Sequence, residues 1–182
     1  PRGPGGLNRW PEDGAGDRMG SPAPLTHGDA MLAIEFLRTA PTLEPRPIYA
    51  LWGDDAYLRG ESIAAIVRRV LGDGADEFAV SRFPGESASL ADVFDELRTL
   101  PFLAKARVVV VDNADPFVSA HRRELELYAE KPSATGVLVL SAKTWPATTK
   151  LAKLVDKVGI PVDCKAPAAR DLPRWLVGLA RS

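Results

Sequence analysis

The sequence predicts an α/β domain in three layers, with a mostly parallel five-stranded sheet between helices. Two observations lead there. Short apolar runs of strand length recur at Ile48–Trp52, Arg107–Asp112 and Gly136–Leu140. Between them fall stripes of apolar residues at helical spacing, so strand and helix alternate, which is the pattern of a sheet covered on both faces.

Met31-Leu-Ala-Ile-Glu-Phe-Leu37 places Ile34, Phe36 and Leu37 at helical spacing and stops before Pro41, so a short helix is expected. Three prolines between Pro41 and Pro47 form a connector to the first strand, Ile48–Trp52. Ile63, Ile66, Val67 and Val70 make one stripe of the next helix, ended by Gly72 and Gly74. Glu77 to Phe83 is strand-like but more polar, and so is expected at a sheet edge. Ser89 with Asp92 resembles a capping box ahead of the stripe Leu90, Val93, Phe94 and Leu97. Arg107-Val-Val-Val-Val-Asp112 is a β-branched run typical of a strand buried on both faces. Phe117, Leu125, Tyr128 and Ala129 mark one further helix, and Gly136–Leu140 the next buried strand. Leu151, Leu154, Val155 and Val158 precede a last strand at Gly159–Asp163, and Leu172, Trp175, Leu176 and Leu179 form a closing helical stripe.

At 182 residues the chain suits one domain with tails. Its 46% hydrophobic and 26% charged residues are ordinary for a globular protein. The 23 Lys and Arg balance 24 Asp and Glu, which disfavours a protein that binds nucleic acid through its own charge. Arg68, Arg69, Arg122 and Arg123 are equally well explained as solvated helix faces, so DNA is expected only as an indirect or weak partner. The single cysteine, Cys164, excludes an internal disulfide and a cysteine-cluster metal site and fits a reducing cytoplasm. No apolar run approaches the roughly 20 residues that span a bilayer, so no membrane partner is expected. Residues 1–30, with five prolines and seven glycines up to Gly28, cannot bury enough surface to order themselves and are expected to be a disordered tail. Because the chain starts with Pro1, Met19 or Met31 is expected to lie nearer the natural start.

In a parallel α/β fold, the first strand-to-helix turn is the usual phosphate site. A working phosphate loop needs Gly-x-x-x-x-Gly-Lys-Ser/Thr, so that amides cradle the phosphates, lysine neutralises them and a hydroxyl holds Mg²⁺. Here the turn reads Trp52-Gly-Asp-Asp-Ala-Tyr-Leu58. It is shorter, lacks the lysine and hydroxyl, and puts two carboxylates at a helix N-terminus, where they would repel a phosphate. Asp54 is read as the N-cap and Asp55 as a first-turn residue. Asp112-Asn-Ala-Asp115 follows a buried strand, where ATPases of this architecture hold Mg²⁺ and activate water. Asn113 cannot serve as a base, and Asp112 and Asp115 are read as turn and cap residues. Ser141–Thr144 reads as a solvated loop. His27 and His121 have no partner at ligand spacing, and Cys164 reads as buried and inert. No catalytic residue, cofactor or metal is therefore expected. Thr99-Leu-Pro-Phe-Leu-Ala104 gathers Leu100, Phe102 and Leu103 around Pro101. It is either a turn folding back on the core or an exposed apolar plug for a partner's pocket.

Tyr49–Leu58, Thr99–Asp112, Leu125–Pro132, Gly136–Ser141, Lys150–Lys153 and Asp171–Trp175 together resemble the N-terminal domain of the delta subunit of bacterial DNA polymerase III. The resemblance runs from about Met31 to Ser182. It implies a P-loop-NTPase (AAA+)-like domain over residues 31–166 without a functional phosphate loop. It also implies that residues 167–182 begin a second, truncated helical domain. In that family the delta subunit is the wrench of the clamp loader. A short apolar element, usually Leu-Phe, enters a hydrophobic pocket on the sliding clamp (the beta subunit) and opens the ring for loading onto primed DNA. The resemblance places that element at Leu100, Pro101, Phe102 and Leu103, with the Phe-Leu order reversed. It further implies contacts with the ATPase and delta-prime subunits through domains absent here, within a complex that has DNA polymerase activity. The alternative from the residues alone is an atypical nucleotide-binding enzyme of the same architecture.

Overall fold

A computed structural model describes residues 30–72, 77–100 and 106–166. The strands are β1 (Met31–Leu32), β2 (Ile48–Trp52), β3 (Val80–Pro84), β4 (Arg107–Asp112), β5 (Gly136–Ala142) and β6 (Ile160–Asp163). The helices are α1 (Ala33–Thr39), α2 (Ala56–Leu71), α3 (Leu90–Arg98), α4 (Asp115–Ala120), α5 (Arg122–Glu130) and α6 (Lys150–Val158), with a 3₁₀ turn at Glu77–Ala79. The strands form one sheet in the order β1-β6-β2-β5-β4-β3, and every pairing is parallel.

Parallel strands must be covered on both faces, and alternate residues of each strand serve the two layers. Tyr49, Leu51, Val108, Val110, Val137 and Val139 face one core with Phe36 of α1 and Leu58, Ile63 and Ile66 of α2. Ile48, Ala50, Val109, Val111, Leu138 and Leu140 face the other, with Val93, Leu97, Phe117, Leu125 and Val155 from α3 to α6. The four valines of β4 are fully buried, as their unbroken run implies. Each such side chain contributes about 1.5–3 kcal/mol by leaving water.

Several elements differ from expectation. The sheet has six strands rather than five, because Met31 and Leu32 pair with Val162 and Asp163 instead of opening a helix. Two residues carry too little periodicity to be separated from the helix that follows. That helix starts at Ala33, and its buried positions are Ala33 and Phe36, with Ile34 only partly covered. The strand expected from Glu77 begins at Val80, after the 3₁₀ turn, and it does lie at the sheet edge, paired only with β4. The single helix expected around Phe117–Ala129 is two, because His121, at φ −120° and ψ 28°, leaves the helical region between α4 and α5. Ser89 occupies the N-cap position of α3 but makes no side-chain capping bond, so the capping box with Asp92 does not form. The tail before residue 30, Gly74 and the closing helical stripe lie outside the described residues.

Phe117 is 1% exposed and meets the His121 ring edge-on at 5.0 Å. Phe117→Ala is expected to cost about 3–5 kcal/mol of stability, through lost transfer energy and the cavity left behind. Urea unfolding checks this, and a loss below 1 kcal/mol would place the ring outside the core.

Candidate functional site

The sheet has two chemically different ends. The loops after the strands converge at the carboxyl end, where open α/β sheets ordinarily bind ligands. There the turn after β2 is closed by the chain after β6. The Asp55 N–H donates to the Cys164 carbonyl at 3.3 Å, and the Cys164 N–H donates to the Trp52 carbonyl. Gly53 has φ +132°, and a Cβ there would stand 2.5 Å from the Cys164 carbonyl, so only glycine permits the approach. Arg59 donates its guanidinium to the Gly53 carbonyl. Asp55, not Asp54, is the N-cap of α2, and its carboxylate accepts from the Leu58 N–H at 3.0 Å. Cys164 is fully buried, and burial pushes its thiol up to about 11, against the opposing pull of the Ser62 hydroxyl and Arg59.

The ends of β4 and β5 are tied in the same way. Asp112 takes a two-pronged salt bridge from Arg82, at 2.8 and 2.9 Å. The Gly85 N–H donates to the Asp112 carbonyl, and the Ala114 N–H to the Ser141 carbonyl. Asn113 turns the chain at φ 50°. Asp115 does not cap its own helix, whose N-cap is Ala114. Its carboxylate reaches across to the end of β5 and accepts from the Lys143 N–H at 2.8 Å and from the Thr144 N–H and hydroxyl at 3.0 and 2.8 Å. The 141–144 segment is thus a bonded corner rather than a free solvated loop. Trp52 and Trp145 stack at 6.3 Å beside it. Among the described residues, no group of three or more His, Cys, Asp or Glu could hold a metal ion, and no helix is long and apolar enough to cross a membrane.

The amino end of β4 carries exposed apolar side chains beside the ion pair of Arg107 with Glu96. Leu100, just beyond α3 and ahead of β4, is 73% exposed, and Leu127 on α5 is 58% exposed. Both line an open groove of about 590 Å³ between α3 and α5. Its floor is Phe94 stacked on Tyr128 at 5.3 Å, with the Arg98 guanidinium 5.5 Å over the Phe94 ring. Burial pushes the Tyr128 hydroxyl up to about 12, although the Ser133 N–H donates to it and Arg98 lies near. Of the expected clamp-binding residues, Leu100 is exposed, while Pro101, Phe102 and Leu103 lie outside the described residues. Leu127 was missed by sequence reasoning, though a signal existed: it stands off the buried stripe of Leu125, Tyr128 and Ala129.

Burial alone would raise the Asp115 carboxyl, but the amide and hydroxyl donors of Lys143 and Thr144 outweigh it and hold it below its ordinary 3.8. Asp115→Asn is expected to cost about 1–2 kcal/mol at neutral pH, the figure being held down by solvent screening at this half-exposed site. A depressed carboxyl stabilises the fold above its unfolded value and loses that contribution as pH falls through the folded value. The gap between wild type and variant, measured by urea unfolding, should therefore close in acid. A gap unchanged below pH 3.8 would reject the charged role.

Comparison with known proteins gives a consistent answer. The family model for DNA polymerase III, delta subunit, matches residues 49–165, more than half the chain. The DNA polymerase III subunit delta of Bacillus subtilis is 27% identical over 149 residues, covering 76% of this chain and 43% of its own. The solved Bacillus subtilis DNA clamp loader delta protein superposes with a TM-score of 0.69 at 26% identity, over 82% of this chain and 47% of that one. A DNA polymerase III gamma subunit-related protein from Thermotoga maritima shares the fold alone, with a TM-score of 0.50 at 16% identity over 82% of this chain and 54% of that one. The chain spans less than half the length of the two Bacillus proteins it matches. Its α/β fold with a parallel sheet agrees with the delta structure, and the chain belongs to the family of DNA polymerase III delta subunits.

Proposed function

We propose that this domain is the clamp-contacting part of a clamp-loader delta subunit. It presses the apolar element Leu100, Pro101, Phe102 and Leu103 into a hydrophobic pocket of the sliding clamp and favours the opened ring for loading onto primed DNA. It hydrolyses no ATP in doing so. The observation that carries this reading is Leu100, an aliphatic side chain 73% exposed where the element begins. A large apolar residue left in water at the mouth of a Pro-Phe-Leu segment suits a partner's pocket better than the domain's own core.

The energetics are sufficient. Burying Phe102 and Leu103 in a pocket removes roughly 150–250 Å² of apolar surface from water, on the order of 4–6 kcal/mol before association costs. Ring opening then follows as a population shift, since the subunit makes contacts with the opened interface that the closed ring lacks. Supporting the second half of the proposal, the turn at Gly53–Asp55 has its backbone engaged by Cys164 and its carboxylate spent on the Leu58 amide. ATP binding and hydrolysis would then belong to partner subunits, which the rest of the protein would contact, and DNA would be met only indirectly or weakly.

Surface plasmon resonance of the 182-residue chain against its sliding clamp tests the first half. Phe102→Ala with Leu103→Ala is expected to weaken binding about a hundredfold or more, and unchanged affinity would sink the reading. For the second half, ATP with Mg²⁺ at saturating millimolar concentration is expected to leave the melting temperature unmoved. A dose-dependent rise would instead favour a nucleotide-binding enzyme.

A further inference from the structure

We propose that Glu96 is the positioning residue of the Leu100–Leu103 element: its carboxylate ties the end of α3 to the start of β4, the two stems that carry that element. This rests on the clamp-binding reading above and adds the device that holds its element ready. α3 ends at Arg98 and β4 begins at Arg107, so the element has one stem on each. Glu96 Oε2 accepts from the Arg107 guanidinium and, at 3.0 Å, from the Ser81 hydroxyl on β3. One oxygen thus joins three elements, where the chain leaves α3 and where it re-enters the sheet.

The backbone of both stems is restrained as well. A Cβ on Gly136 would collide with the Leu97 carbonyl, so only glycine lets the last turn of α3 settle onto the start of β5. The Arg107 N–H donates to the Thr135 carbonyl at 2.9 Å, and Thr99 ends α3 with its N–H and hydroxyl on the Asp95 carbonyl at 2.9 and 2.7 Å. The ion pair is not what keeps α3 on the sheet, because Val93 and Leu97 are already fully buried there. Nor is Arg107 the residue that packing alone would select. Its Nε is buried with no hydrogen-bond partner among the described residues, whereas an apolar residue continuing the valine run would leave no such donor. With side chains 34% and 18% exposed, Glu96 and Arg107 add little to stability; what they set is geometry. Stems fixed in advance leave less conformational freedom to be lost when the element is bound.

Association and dissociation rates of the 182-residue chain on its sliding clamp are measured by biolayer interferometry, with a melting temperature for each variant. The variants are Glu96→Ala, Glu96→Gln, the charge swap Glu96→Arg/Arg107→Glu, and Phe102→Ala/Leu103→Ala. Loosened stems populate the binding arrangement less often, so Glu96→Ala is expected to slow association about fivefold to tenfold and leave dissociation unchanged. The swap is expected to regain most of that rate, and Glu96→Gln carries the test if Glu96→Ala does not fold. Faster dissociation with unchanged association would make Glu96 a contact and overturn the proposal, as would a folded swap that regains nothing. If the Phe102/Leu103 variant is weakened while the Glu96 variants bind like wild type, this inference fails and the clamp-binding reading stands. If all bind like wild type, both fail.

Discussion

The structure depends on one constraint: a sheet whose strands are all parallel has no solvent face. Both sides must be covered, and the valines of β4 with the leucines and valines of β5 alternate strictly between two cores. Nearly every side chain on the strands is thereby committed to packing. Chemistry and recognition can reside only where strands end. A parallel sheet has two such edges, one bearing the loops that enter strands and one bearing the loops that leave them.

The two edges differ in how their groups are satisfied. At the carboxyl edge the polar groups find partners within the chain: Asp55 on Leu58, Arg82 on Asp112, Asp115 on Lys143 and Thr144, and Cys164 on Trp52 and Asp55. Each bond is worth only about 0.5–1.5 kcal/mol, and together they brace the turns at the end of the sheet where this architecture ordinarily takes a ligand. At the amino edge the Glu96 carboxylate is likewise engaged, by Arg107 and the Ser81 hydroxyl, but apolar side chains are left over. Leu100 and Leu127 stand in water beside a floor of stacked rings. Surplus apolar surface is what a binding partner can remove from water, which is why the proposed function places recognition at this edge.

Much of this was legible in residue order. The β-branched run at 107–112 could be nothing but a buried strand, and the stripes of α2, α5 and α6 named their own buried faces. The missing lysine and hydroxyl after Trp52 were equally plain. What escaped was set by contacts between distant segments. Met31 and Leu32 form a strand only because β6 offers an open edge. Asp115 looks like a cap in sequence, but a carboxylate goes to the strongest donors within reach, and those lie 28 and 29 residues away on Lys143 and Thr144. The Trp52–Trp145 stack and the Gly53–Cys164 approach join residues too far apart for any periodicity to register. The capping box at Ser89 failed for the opposite reason: the local pattern was present, but the side-chain bond was not made.

The separation of the two edges is tested most directly by hydrogen–deuterium exchange of the 182-residue chain with and without its sliding clamp. Added clamp is expected to slow exchange in peptides covering residues 94–106 and 122–135, leaving those at 52–58 and 141–146 unchanged. Protection confined to 52–58 and 141–146, with the amino edge exchanging as in the free chain, would contradict the central claim.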